Sequence, residues 1–197
     1  MKKIYFFFTF LLIVLININH SFSIEPDVFV QSTVNRASKI LTENISKDKK
    51  IKQLMMIANE TVDIQGIGFY TLGSYRKNLN DKEKKKYGKL FEQYFLKSFS
   101  SRLAEYTNPE IRVSSKKILN KNYTIVYSVL VETNERPEVK IDWRVYTKDY
   151  DNPLIRDLII EGLSLARTQK EEFSSILNSN EGNIEALFKV LEEFSKR

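Results

Sequence analysis

The sequence predicts an α+β fold: an antiparallel four-stranded meander sheet roofed by helices. Three observations carry this. Up to Pro109 the apolar residues recur every three or four positions, and beyond it they alternate with period two. Val139, Ile141, Trp143 and Val145 alternate without a break with Lys140, Asp142, Arg144 and Tyr146, as in a strand with one buried and one wet face. Helical spacing then returns at the end of the chain. Helices gathered on one face of an antiparallel sheet make a layered α+β domain.

The elements follow in order. Val30, Val34, Ala37 and Leu41 stripe a first helix, and Ile51, Leu54, Met55, Ala58 and Val62 a second. Gly66 to Gly73, with Ile67 and Leu72, gives one or two further helical turns. Gly66-Ile67-Gly68 is not a phosphate loop, because the third glycine and a preceding strand are both missing. Asn80 with Glu83 three residues on has the form of a capping box and opens a long helix. Its stripe is Tyr87, Phe91, Phe95, Phe99, Leu103 and Tyr106, in a chain whose aromatic content averages 12%. Aromatics carry much apolar area with few rotors. The stripe reads either as ordinary core or as one wall of a large apolar cavity.

Four strands come next. Ile111 and Val113 alternate in the first. In the second, Ile125, Tyr127, Val129 and Val131 are read as one face, with Thr124 and Ser128 behind. Val139–Tyr146 is the third, and Leu158 to Leu165 the fourth, bringing Ile160 and Ser164 to the helical side. Turn residues stand at Asn120-Lys121-Asn122, Asn134 to Pro137 and Asp149 to Pro153. Phe173, Ile176 and Leu177 stripe the next helix. Ile184, Leu187, Phe188, Leu191 and Phe194 stripe the last, with Asn183 as its cap.

Composition narrows the function. There is no Cys, and the single His is His20. His20 lies in an apparent export signal: Lys2 and Lys3, an apolar run from Ile4 to Ile16, then Ser21-Phe22-Ser23 with small residues placed for cleavage. Cleavage after Ser23 leaves residues 24–197 as one domain and lowers the net charge from +6 to +4 by removing Lys2 and Lys3. Without His or Cys there is no Ser-His-Asp triad, Cys nucleophile or Cys/His zinc site. Binding is therefore favoured over reaction, with no catalytic residue, metal or cofactor expected. The lysine clusters around Lys49 and Lys84 are mixed with acids and suit a solvated face. No aromatics are interleaved with Arg in the manner of a nucleic-acid surface, so no nucleic acid is expected as a partner.

From Asp157 to Leu165 the chain resembles the MlaC, or toluene-tolerance auxiliary, family of periplasmic phospholipid-binding proteins of the Mla lipid-transport system. That family carries an Asp, three residues, then Glu-Gly-x-Ser, matched by Asp157, Glu161, Gly162 and Ser164. Gly182-Asn183-Ile184 before the last helix and Asp63…Leu72-Gly73-x-Tyr75 upstream match it too. Arg76, Pro153 and Arg156 stand where the family carries aromatics.

The resemblance implies a cone-shaped architecture of the nuclear-transport-factor-two-like type enclosing an apolar cavity. It also implies a periplasmic monomer that carries a diacyl phospholipid between an MlaA-like outer-membrane lipoprotein and an MlaD-like inner-membrane complex. The pocket is expected between the Phe91/Phe95/Phe99 helix and the Ile141/Trp143/Val145 face. Ile67, Leu72, Tyr75, Val113, Ile125, Tyr127, Val129, Leu158, Ile160 and Ser164 complete its lining. The alternative is an enzyme on the same cone fold, a hydrolase or isomerase using a buried carboxylate such as Asp63 as base.

Overall fold

The structure is a computed structural model that describes residues 24–149 and 151–196. The expected signal at residues 1–23 lies outside the described residues. Helices α1 (Pro26–Thr42), α2 (Lys47–Thr61) and α3 (Ile64–Thr71) come first, then a 3-10 turn at Tyr75–Lys77 and the long α4 (Asp81–Leu103). Five strands follow: β1 (Ile111–Asn120), β2 (Tyr123–Leu130), β3 (Val139–Tyr146), β4 (Leu154–Ile160) and β5 (Leu163–Ser164). Helices α5 (Leu165–Asn178) and α6 (Ile184–Lys196) end the chain. No helix among the described residues is long and apolar enough to cross a membrane.

The sheet is antiparallel in the order β1-β2-β3-β4-β5, the expected meander with one short strand added. The fourth strand differs most from expectation. It starts at Leu154 and stops at Ile160 rather than running from Leu158 to Leu165. Glu161 (φ 48°) and Gly162 (φ 81°) both take left-handed backbone, so the chain reverses there in a tight hairpin into β5. Gly162 is the signal, since only glycine enters that region without cost.

Register decides which side chains face the helices. Residues opposite one another share a face. Ile111, Leu130 and Val139 form one cross-strand row; Val113, Ser128, Ile141 and Ile160 a second; Val126, Trp143 and Leu158 a third; Thr124, Val145 and Ile155 a fourth. This face enters the core with the helices: Val126, Leu130, Ile141, Trp143, Val145 and Ile155 are all buried in it. Helix α1 packs along β1, and its Gln31 side chain accepts from Val113 N (3.0 Å) and reaches Ile111 O (3.3 Å). That amide occupies edge groups that would otherwise invite another strand.

The second strand is inverted relative to the sequence reading. Thr124, Val126, Ser128 and Leu130 face the helices, at 3%, 0%, 3% and 4% exposure. Ile125, Tyr127 and Val129 lie on the other face, opposite Arg144, Asp142 and Lys140. The Ser128 hydroxyl is tolerated in the core because it is satisfied: its Oγ donates to Ile141 O and accepts from Trp143 Nε1, both at 2.8 Å.

Candidate functional site

The aromatic helix divides into two halves. Its start is fixed by the expected capping box, Asn80 Oδ1 accepting from Glu83 N (2.9 Å) and Glu83 Oε2 from Asn80 N (2.8 Å). In the first half, Tyr87 and Phe91 are 1% exposed. The Tyr87 hydroxyl lies 2.8 Å from Thr71 Oγ1 and donates to Gly68 O at 3.2 Å. Burial pushes the Tyr87 phenol well above its ordinary range. Phe91 lies against Gly68, where an added Cβ would sit 2.8 Å from the ring, and meets Phe173 edge to face at 6.2 Å. This half is solid core, joined by buried Ile67 and Leu72 of the α3 region.

The second half is different. Phe95 and Phe99 stack on one another at 5.4 Å with 12° between their planes, yet both are only half-buried. Helix α4 packs chiefly on α2, α3 and α6 rather than on the strands. On the helix-facing side of the sheet Val113, Leu158 and Ile160 are likewise half-buried, beside buried Ile141, Trp143 and Val145. Ile111 and Val139 share that face and are also half-buried; strand alternation already signals both. The fold thus carries a set of large apolar side chains, from one helix and three strands, that it does not itself fully cover.

Several expected residues lie elsewhere. Ile125, Tyr127 and Val129 are on the opposite face of the sheet, as register requires. Tyr75 reaches the α5–α6 connection and donates to Asn178 Oδ1 at 2.5 Å. Ser164 is the N-cap of α5, its hydroxyl accepting from Arg167 N at 3.1 Å and donating to Asp157 Oδ2 at 2.6 Å.

The motif around it is a strand-to-helix corner. Buried Asp157 also accepts from Ala166 N (3.0 Å) and faces Arg144 at 3.5 Å, while Glu161 Oε1 accepts from Lys140 N (2.5 Å). Arg144 pairs with Asp157 and not with Glu161, because the hairpin turns Glu161 back to the start of β3. Asp63, the carboxylate an enzyme would use as base, caps α3 through Gly66 N (2.8 Å) and pairs with Arg156 Nε at 2.6 Å. Arg156 also donates to the Tyr123 hydroxyl (2.6 Å) and lies 3.7 Å from the Tyr146 ring centre. Every one of these groups has a structural partner.

An open cleft of about 500 Å³ on the outside of α5 is lined by polar residues including Arg167, Lys170 and Ser174. Tyr75, Leu79 and Gly182 border a second, of about 360 Å³.

Comparison with known proteins gives one family and two informative relatives. The family described as MlaC protein matches residues 31–193. The intermembrane phospholipid transport system binding protein MlaC of Haemophilus influenzae is 24% identical over 161 residues, covering 78% of this chain and 75% of that protein. A solved phospholipid-binding protein from Ralstonia solanacearum, in complex with a phospholipid, is similar with a TM-score of 0.73 at 16% identity. The match covers 88% of this chain and 98% of that one, and it is a likeness of fold.

Proposed function

The chain belongs to the MlaC family, and from that premise we propose that it carries one diacyl phospholipid between the outer- and inner-membrane complexes of an Mla-type transport system. The observation that carries the proposal is the half-buried Phe95–Phe99 stack on α4 together with half-buried Val113, Leu158 and Ile160 on the helix-facing side of the sheet. The acyl chains occupy the space between them. Ile141, Trp143 and Val145, buried on the same face of the sheet, form the floor behind that lining, while Ile67, Leu72 and Phe91 belong to the solid core. The phospholipid bound by the Ralstonia protein and the phospholipid-transport name of the Haemophilus protein support the same cargo.

Energetics set the requirement. Burying a methylene is worth ~0.8 kcal/mol. A lipid with about thirty of them must recover on the order of 25 kcal/mol on leaving a bilayer. An apolar enclosure supplies this, so extraction is close to neutral and the docking partners bias direction. No reaction is needed.

The protein is exported, cleaved near Ser23 and works in the periplasm as a monomeric single domain. It docks on an MlaD-like inner-membrane complex and an MlaA-like outer-membrane lipoprotein. Lys82 and Lys85 are exposed and available to steer such encounters. Lys86 is engaged with Glu185 (3.0 Å) and lies over Phe188.

Transfer from vesicles tests the proposal. Lipid-stripped protein incubated with vesicles of phosphatidylethanolamine and phosphatidylglycerol and then separated should emerge holding about one phospholipid per chain. Protein that emerges empty refutes the carrier reading.

A further inference from the structure

We propose that Arg136 and the glutamates beside it hold the headgroup of a phosphoethanolamine lipid at the rim of the apolar site. This rests on the carrier reading and adds the headgroup class.

Arg136 lies in the connection between β2 and β3, at the sheet end where Ile111, Leu130 and Val139 form the last row. The connection is pinned by paired backbone hydrogen bonds between Thr133 and Arg136 (2.8 and 3.2 Å). The guanidinium donates to Val131 O at 3.1 Å and sits 5.7 Å from the ring centre of Tyr106, just beyond the end of α4. Arg136 therefore bridges the helix that carries Phe99 and the sheet row that carries Ile111 and Val139.

Its electrostatic state is unusual. The Arg136 Nε is buried and has no hydrogen-bond partner, and no carboxylate among the described residues pairs with the guanidinium. Arginine offers a planar fork of donors that suits a phosphodiester. Glu132, Glu135 and Glu138 surround it in sequence, are exposed, and form no ion pair among the described residues. Three carboxylates would repel a headgroup of net negative charge. They suit one whose phosphate is followed, two carbons on, by an ammonium. The phosphate takes the guanidinium and the ammonium takes a carboxylate.

The test loads lipid-stripped protein from vesicles holding equal amounts of phosphatidylethanolamine and phosphatidylglycerol with identical acyl chains. The lipid recovered with the protein is then weighed by mass spectrometry. Wild-type protein should favour the ethanolamine lipid by roughly two- to fivefold, the range solvent-screened ion pairs supply. The triple variant Glu132→Gln/Glu135→Gln/Glu138→Gln should bring the ratio near one with its melting temperature unchanged. Arg136→Gln should lower loading of both lipids, and Arg136→Lys should restore part of it.

An even ratio in wild type, or the same preference in the triple variant, overturns the inference while leaving the carrier reading intact. A wild-type protein that loads neither lipid overturns both.

Discussion

Replacing Phe95 by Asp should empty the protein of phospholipid while leaving it folded. Phe95 sits in the middle of the aromatic stripe, 6.1 Å from the Phe91 ring and 5.4 Å from that of Phe99. It is half-buried, so a carboxylate there retains contact with water in the empty protein. Once acyl chains fill the space, that carboxylate loses its water and gains no partner, which costs several kcal/mol. Lipid recovered per chain should fall by tenfold or more, with the far-ultraviolet circular dichroism of the wild type retained. A folded Phe95→Asp protein with full lipid content would place the acyl chains elsewhere.

One turn earlier the same residue type does a different job. Phe91→Ala should lower stability by about 3–5 kcal/mol. Phe91 is 1% exposed and is wedged between Gly68 and Phe173, so its loss leaves a cavity that backbone on one side and a ring on the other cannot close. For a chain of this size that corresponds to a drop of roughly 6–20 °C in Tm by differential scanning calorimetry. A drop of 2 °C or less would mean that Phe91, too, borders unfilled space. The two variants separate core from site along one helix.

Much of this was legible in the sequence. The capping box at Asn80, the spacing from Tyr87 to Phe99 and the alternation from Val139 to Tyr146 each specify an element through local rules that the fold obeys. The inward face of β2 was not legible. Its two sets of alternate residues are both apolar or hydroxyl-bearing, and the set with Thr124 and Ser128 is inside because Trp143 and a β3 carbonyl satisfy Ser128. The connection to β3 spans residues 131–138, too long for turn chemistry to fix register.

Of the expected site, Phe95 and Phe99 on α4 and Val113, Leu158 and Ile160 on the inner sheet face are each left half-buried. Ser164 shows the limit of pattern reading. Gly162 signals a break in the strand, but the cap that Ser164 makes with Asp157 depends on where β5 turns into α5. Arg136 carried no sequence signal at all. One cation among three glutamates reads as solvated loop, and only Tyr106 and the buried Nε set it apart.

The most direct test of the central claim is the native mass of the protein purified from cell envelopes without added lipid. A lipid carrier should appear as a species heavier than the polypeptide by one diacyl phospholipid, which collisional activation releases and organic extraction identifies. A native mass equal to that of the bare polypeptide, with no phospholipid in the extract, would contradict it.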